Sequence, residues 1–476
     1  MRPDGLEDNY YFGGGGDTLI SPLALALCLL AVILILVLPR KYVVVPFLLA
    51  GLLIIVREQV VIAGLHFMIY RILILAAGIR LVTSYLMVER ESFRWRLTSL
   101  DKCLVVWALS NAIMYTILWR EVGALVNRLG FLYTTLGAYF IFRYFIRDRE
   151  DVIRTIKVLS CVTALIAVVM IAEQLTGKNP LAVFGGVSTY AVVREGRIRA
   201  QGPFLHPIIA GTVGATLIPL FIGLWRQGKK NRLAAGIGVV SATLMTITSA
   251  SSTPMMTYGA GLLALCLWPV RRYMRVFRWG VVLSVITLHL VMKAPVWYLP
   301  QRIGDLMGGS GWHRSALLDT FIRRFGEWWL IGTQNNANWG YDMWDAINAY
   351  VDAGIEGGLI TMLLFSAVLV YAYKKIGAAR RMAEPSPRNA FLIWSLGAAL
   401  FAHTVAFFGI TYFDQSAIAW YGLLAMIGIT TSFVNNRKRS PAEVQSPDLT
   451  ADQVAAETVW AKEGPDHVPI HASPLS

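Results

Sequence analysis

Residues 19–38 read LISPLALALCLLAVILILVL, twenty residues without one charged side chain. A helix of that length spans the roughly 30 Å hydrocarbon core of a bilayer. Similar apolar runs recur along the 476-residue chain, which is 56% hydrophobic and 15% charged, whereas soluble proteins are about 25% charged. The composition therefore predicts a polytopic membrane protein and argues against a water-soluble enzyme.

Thirteen apolar runs can be counted, and they predict an all-α transmembrane bundle of about 12–13 spans. The runs lie near 19–38, 42–56, 60–80, 103–119, 129–145, 158–175, 207–225, 233–248, 255–269, 279–294, 354–373, 391–408 and 416–434. The second run is the weakest because Pro46 and Gly51 interrupt it.

The basic residues support this count. With the N-terminus outside and the spans alternating, 27 of the 43 Lys and Arg fall on the cytoplasmic side, as the positive-inside rule requires. The net charge of +14 is thus a signal of topology, and we do not expect nucleic acid as a partner. If one span were missing from this count, every later loop would move to the other side of the membrane, and the basic loops among them would lie outside.

The same pattern divides the chain into three parts. Residues 1–18 form an extracytoplasmic leader, whose acidic character does not suit a cleavable signal peptide. Residues 19–434 form the membrane domain, and 435–476, rich in Pro, Ser, Ala, Asp and Glu, form a disordered cytoplasmic tail. Two long outer loops, 176–206 and 295–353, are the expected location of binding and catalysis.

Three arginines in the first outer loop, Arg194, Arg197 and Arg199, run against the positive-inside bias. A guanidinium group binds phosphate through paired, charge-assisted hydrogen bonds and does not lose its proton. Pro207 can begin the next helix, which leaves His206 and the first backbone amides facing the loop. The segment therefore predicts a phosphate-binding site, and the alternative is that these arginines hold anionic lipid headgroups.

The second outer loop is rich in aromatic and amide side chains. Residues 308–348 contain five tryptophans, including Trp339, together with a run of Asn and Gln. Aromatic faces cover sugar rings and amides pair with hydroxyls, so the composition predicts sugar contact. An aromatic belt at the membrane interface is the alternative, although it does not explain the amides.

Three acidic side chains lie at the end of this loop and at the start of the eleventh apolar run. Asp345, Asp352 and Glu356 are seven and four residues apart, so a helix would place them on one face. We expect outer arginines as their partners, either at a reactive site or in a purely structural bridge.

The remaining polar residues of the spans are expected to be structural. Arg71 is predicted to pack against a carboxylate, and His289 and His403 to be core residues. No metal-ligand spacing, phosphate loop or nucleophilic triad is present in the sequence, so no metal or cofactor is expected.

Three short motifs, in this order, resemble those of the bacterial O-antigen ligase and O-antigen polymerase superfamily. They are Arg199-x-x-Gly202-x-Phe204-x-x-Pro207, then Arg314 followed by an apolar helix and Gly332, then Asn348-x-Tyr350-Val351 leading to Glu356, Gly357 and Gly358. With the topology, the resemblance covers about residues 20–434.

The resemblance implies a metal-independent, GT-C-like membrane glycosyltransferase at the outer face of the bacterial inner membrane. Its donor would be a glycan on undecaprenyl pyrophosphate, contacted by Arg199 and Arg314, and its acceptor a glycan or lipid. Other polysaccharide-assembly proteins are further possible partners. Ligases of the family have a His where this chain has Ile347, which favours polymerisation of surface polysaccharide over ligation. The candidates for activating the acceptor are Asp345, His313 and Glu356, in that order.

Two other classes remain open from the sequence. A transporter or flippase for lipid-linked sugars would also have many spans, but the paired broken helices and internal repeats typical of transporters are not evident. A scaffold for polysaccharide assembly would tolerate point mutations in the outer loops.

Overall fold

A computed structural model of the chain describes residues 18–62, 64–87, 97–299, 311–412 and 415–430. All of these belong to one compact unit, Met1–Phe433. The predicted leader, except for its last residue, and the predicted tail, 435–476, lie outside the described residues.

Within the described residues the chain is mostly helical, as the apolar runs predict. Its α-helices are α1 (Pro22–Val37), α2 (Val44–Leu53), α3 (Ile69–Met87), α4 (Ser99–Trp119), α5 (Val122–Phe145), α6 (Arg149–Thr176), α7 (Pro207–Trp225), α8 (Arg232–Thr248), α9 (Ser252–Cys266), α10 (Met274–Val291), α11 (Gly311–Arg323), α12 (Phe325–Trp328), α13 (Ala349–Met382), α14 (Pro387–Ala406) and α15 (Ser416–Gly428). Two antiparallel hairpins complete the fold, β1 (Gln59–Ile62) with β2 (Leu65–Met68) and β3 (Val192–Arg194) with β4 (Arg197–Arg199).

Seven of the described helices are long and apolar enough to cross a membrane. They are Ile69–Leu86, Ser99–Trp119, Arg149–Thr176, Pro207–Trp225, Arg271–Val291, Ala349–Met382 and Pro387–Ala406. Each predicted run contains a helix, but two runs need correction. Run 42–56 holds only the ten-residue α2, and run 60–80 opens with the β1–β2 hairpin, so its helix begins at Ile69.

Contacts between distant loops define one end of the bundle, which we call the basic end. Arg40 Nη1 donates to Asp151 Oδ2 at 3.1 Å, and Arg149 Nη2 donates to Gln227 Oε1 at 2.7 Å. Gln227 Nε2 in turn donates to the backbone oxygen of Arg388 at 3.0 Å. These bonds join the starts of α6 and α14 to the end of α7.

The opposite end, which we call the loop end, is joined in the same way. The Glu58 carboxylate accepts from the Ser21 backbone N–H at 2.7 Å. Gln415 Nε2 donates to the backbone oxygens of Ile54 at 3.0 Å and Pro203 at 3.1 Å. The starts of α1, α7 and α15 therefore share one end with the two long loops.

Helix α10 differs from the others because none of its residues is buried. Its anchors are near its ends, where Arg272 lies 3.6 Å from Glu384 and His289 stacks on Trp297 at 5.3 Å. His289 is exposed, so its prediction as a core residue was wrong. His403 is buried, with Nδ1 2.6 Å from the Tyr412 hydroxyl, as predicted.

Helix α13 is interrupted at Gly358, where the backbone has φ 73° and ψ −175°. The interruption frees one carbonyl and one amide, and the loop before the helix binds both. Thr333 N–H donates to the Ile355 oxygen at 2.9 Å, and Leu359 N–H donates to the Trp329 oxygen at 2.8 Å. Residues 329–333 are thus inserted against the interruption.

Close backbone approach explains two glycines of the motifs. A Cβ at Gly358 would lie 2.6 Å from the Leu330 oxygen, and a Cβ at Gly332 would overlap the Ile355 oxygen. Both glycines also have positive φ, a conformation that favours glycine. Their role in this structure is to allow the loop and α13 to meet.

Candidate functional site

The β3–β4 hairpin brings the three arginines of the first outer loop to one face. Arg194 pairs with Arg197 across the hairpin and Val192 pairs with Arg199. Paired residues, and residues two apart on one strand, share a face of a sheet. Arg199 is only 6% exposed, whereas Arg194 and Arg197 are exposed.

Neighbouring helices fix the segment that carries Arg199. The Ala200 N–H donates to the Thr248 oxygen at the end of α8 at 3.0 Å. On α6, Glu173 Oε2 accepts from the backbone N–H groups of Gln201 at 3.0 Å and Gly202 at 2.8 Å. The side chain of Arg199 is therefore presented from a rigid support.

Arg199 and Arg314 meet at the start of α9, on two consecutive serines. Arg199 Nη2 donates to Ser251 Oγ at 2.7 Å, and Arg314 Nη1 donates to Ser252 Oγ at 3.3 Å. We call these two guanidinium groups the arginine pair. The serines were missed in the sequence, where the only signal is the hydroxyl-rich stretch 249–253 in a short outer connection.

The arginine pair has no counter-charge within the described part of the chain. The Nε atoms of Arg199 and Arg314 are buried without a hydrogen-bond partner. Burial, reinforced by Arg194, lowers the pKa of Arg199. Burial, with Arg194 and Arg199, lowers the pKa of Arg314 to about 10. Both groups therefore stay charged at neutral pH, and buried charge of this kind is costly until an anion compensates it.

His206 lies beside the pair as the residue that caps α7. Its Nδ1 accepts from the Ile208 backbone N–H at 3.1 Å. Burial, with the neighbouring Arg199, lowers the pKa of His206 to about 4. The ring is therefore neutral at physiological pH, and Nε2 carries the proton. It can donate a hydrogen bond to an anion without adding charge.

A second group of polar residues gathers around His313, the neighbour of Arg314 on α11. His313 Nε2 lies 2.8 Å from the backbone oxygen of Asp342, which has a positive φ of 60°. Because a carbonyl only accepts, Nε2 carries a proton, and in the neutral ring Nδ1 is an acceptor. Burial raises the pKa of Asp345, and the nearby His313 opposes that rise. His313 and Asp345 thus form a candidate base, and His313 directly precedes Arg314 on α11.

Glu356, in contrast, is engaged by another helix. Its two oxygens accept from Arg128 of α5 at 2.7 and 2.9 Å, and Asn111 Nδ2 donates to it at 3.1 Å. In the predicted topology Arg128 belongs to the outer connection between the runs 103–119 and 129–145, so the pairing is the structural bridge to an outer arginine that the sequence predicted. The shared helix face was wrong for Asp345 alone, which precedes the start of α13 at Ala349, whereas Asp352 and Glu356 lie four residues apart on that helix.

Asn348 also has a structural place. Its Oδ1 accepts from the backbone N–H groups of Tyr350 at 3.0 Å and Val351 at 3.2 Å, which caps α13. Its Nδ2 donates to the Phe408 oxygen at 3.4 Å, and the residue is 2% exposed. Its predicted contact with substrate is thus replaced by a role in fixing the loop beside the pair.

Trp339 is 6% exposed and packs with Phe321 and Trp328 in the core of the second outer loop. Its Nε1 donates to Glu327 at 2.8 Å. A buried ring offers no face to a sugar, so the assignment of sugar contact to Trp339 needs correction. The exposed rings near His313 are Trp312, Tyr341 and Trp344, which are 47%, 81% and 67% exposed.

The described residues contain no group of three or more His, Cys, Asp or Glu that could hold a metal ion. The arrangement can bind an anion with several oxygens and accept a proton nearby.

Comparison of the chain with models of known protein families and with curated proteins finds no match.

Proposed function

We propose that the protein is an integral membrane glycosyltransferase that polymerises or transfers glycans linked to undecaprenyl pyrophosphate. The observation that carries the proposal is the arginine pair, two converging guanidinium groups whose described partners are uncharged. A pyrophosphate supplies the missing negative charge and accepts the paired hydrogen bonds that guanidinium groups prefer. The resemblance of the motifs to the O-antigen ligase and polymerase superfamily supports the same donor and a GT-C-like arrangement.

In the proposed reaction an acceptor hydroxyl attacks the anomeric carbon of the donor. The new glycosidic C–O bond forms as the bond from that carbon to the pyrophosphate oxygen breaks. Charge builds up on the leaving lipid pyrophosphate, so the fixed arginines stabilise the transition state more than the ground state. The Nε2–H of His206 adds a neutral donor to the same group.

The proton of the acceptor goes to His313 Nδ1 or to the Asp345 carboxylate. A base must lie within hydrogen-bond reach of the hydroxyl that it deprotonates. His313 is adjacent to Arg314 on α11, so donor and acceptor sites share that helix. The exposed rings of Trp312, Tyr341 and Trp344 offer apolar faces to the acceptor sugar.

The loop end would face the outside of the bacterial inner membrane, with the C-terminus in the cytoplasm. The charge distribution of the loops supports this orientation. Ile347, in place of the histidine of the ligases, favours a polymerase of surface polysaccharide. An acceptor that is itself a growing glycan fits the same chemistry.

The test uses the purified full-length protein with a lipid-linked oligosaccharide donor. Arg199→Ala and Arg314→Ala are each expected to lower turnover by about 10²–10³, the usual cost of removing one preorganised donor. The matched control is Arg323→Ala, an arginine 75% exposed on the same helix as Arg314, which should change turnover little. Wild-type turnover in both pair variants would contradict the proposal.

The same assay separates an enzyme from a transporter. In detergent there is no second compartment, so transport alone gives no change in glycan structure. A new sugar linkage formed under these conditions supports the glycosyltransferase. Donor binding with no new linkage, for any acceptor offered, would favour a flippase.

A further inference from the structure

A groove of 620 Å³ lies on the outside of the bundle between α3 and α5. Its volume is in the usual range for a ligand site, about 300–1,000 Å³. Residues that line it include Ile74, Gly78, Val82, Tyr133, Gly137 and Phe140. The surface is almost wholly apolar and sits on a helix long enough to span the membrane.

Two glycines give the groove its depth. No atom lies within 4 Å of the position that a Cβ at Gly78 would occupy, so a side chain there would fill open space. A Cβ at Gly137 would lie 2.6 Å from Ile74 Cγ2, so the two helices approach closely at this point. Small residues allow such close approach between membrane helices.

Arg71 stands at the loop end of this groove. Arg71, Ile74, Gly78 and Val82 are spaced so that they share one face of α3. On α5, a Cβ at Gly130 would lie 3.0 Å from Arg71 Nη2, and Gly130 is one heptad before Gly137. The guanidinium group therefore lies over the same seam as the groove.

The partners of Arg71 are neutral. Nη1 donates to the His66 backbone oxygen at 2.9 Å, and Nε donates to Thr134 Oγ1 at 3.3 Å. No carboxylate in the described ranges pairs with it, so the carboxylate partner expected from the sequence was wrong. The Nε2 atom of the adjacent His66 is buried without a hydrogen-bond partner.

We propose that this groove is a binding site for an anionic phospholipid, with an acyl chain between α3 and α5 and the headgroup phosphate on Arg71. Arg71 lies in the first turn of α3, at the end of the span, which is the depth of the headgroup layer. The groove runs from there along α3 towards the middle of the bilayer. The positive charge at the end of the span would thus face the phosphate headgroup, and the apolar groove that follows it would face the acyl chain.

Such a lipid would stabilise the α3–α5 seam and the β1–β2 hairpin, which contacts Arg71 through His66. A ligand that binds the folded protein and not the unfolded chain raises the free energy of unfolding by RT ln(1 + [L]/Kd). The site uses none of the residues of the arginine pair and does not depend on the proposed glycosyltransferase activity.

The experiment measures thermal unfolding of the delipidated full-length protein in detergent, with added lipid. Phosphatidylglycerol is expected to raise the wild-type Tm by at least about 2 °C. Diacylglycerol with the same chains and inorganic phosphate alone should each give less than half of that shift. Arg71→Gln and Gly78→Leu should abolish it.

Matched controls keep the test specific. Arg57→Gln removes an exposed arginine at the same end, and Gly259→Leu enlarges a glycine in open space on α9; both should retain the shift. If Arg71→Gln does not fold, native mass spectrometry of Gly78→Leu replaces it, with one fewer bound phosphatidylglycerol expected than in the wild type. Equal shifts or equal lipid counts in wild type and groove variants would overturn the proposal, as would a full shift with inorganic phosphate alone.

Discussion

Two buried arginines of this protein have opposite surroundings. Arg128 meets both oxygens of Glu356, donates to Asn111 Oδ1 at 2.8 Å and stacks 3.5 Å from the Tyr115 ring. The Nε atoms of both arginines are buried without a partner, but Arg199 meets one serine hydroxyl and no carboxylate within the described residues. A buried charge that has its counter-charge inside the fold is part of the packing of the fold. A buried charge without one is available to bind a ligand of opposite charge.

The pairing of Glu356 predicts what its removal does. Glu356→Gln leaves the Arg128 side chain, 8% exposed, without its counter-charge, and should cost about 3–5 kcal/mol in the free energy of unfolding. Adding Arg128→Met should restore part of that loss, because the unpaired guanidinium group is removed. Unfolding in detergent measures both. Arg323→Gln, which breaks a pair at an arginine 75% exposed, is the control and should cost under about 1 kcal/mol.

The double variant also decides what Glu356 does in the proposed glycosyl transfer. Glycan synthesis that survives in a stable Arg128→Met, Glu356→Gln protein means that this carboxylate is structural. A stable but inactive double variant would return Glu356 to the candidate bases, beside His313 and Asp345.

At the scale of elements, the decisive contact is the one between residues 329–333 and the interruption of α13. The loop satisfies a carbonyl and an amide that the helix leaves unpaired at that point. It thereby ties the second outer loop to a helix long enough to span the membrane. Asn348 caps the same helix, and its Nδ2 donates to the Phe408 oxygen. The next residue, Gly409, lies beside the arginine pair, because a Cβ there would be 3.4 Å from Arg314 Nε.

Gly358→Ala tests this contact. The backbone at φ 73° and the 2.6 Å approach to the Leu330 oxygen both oppose a Cβ. Strain of this kind costs about 1–3 kcal/mol, so the variant should unfold at lower temperature and should lose glycan synthesis as the loop detaches. Gly259→Ala is the control, since its Cβ would meet no atom within 4 Å, and it should unfold at the wild-type temperature or slightly above. Equal unfolding temperatures for the two variants would contradict the contact.

At the scale of the molecule, the bundle could be predicted from the sequence because a membrane leaves the backbone few choices. An apolar run must satisfy its own hydrogen bonds, so each predicted run contains a helix. The partners of polar residues could not be predicted in this way. Arg128 lies 228 residues from Glu356 and Ser251 lies 52 residues from Arg199, and periodicity carries no information on such pairings. The arginine segment was found because charge on the outer side is unusual, while the serines that meet it carry no such signal.

The two ends of the bundle give the last prediction, which concerns orientation. If the positive-inside rule sets the topology, the basic end faces the cytoplasm and the loop end faces out. A membrane-impermeant maleimide should label Tyr341→Cys, at a position 81% exposed at the loop end, in intact spheroplasts. Lys229→Cys, exposed in the loop between α7 and α8, should react only after the membrane is permeabilised. The parent protein, with its four natural cysteines, sets the background. Labelling in the reverse order would put the arginine pair on the cytoplasmic side, where a donor displayed on the outer face could not reach it.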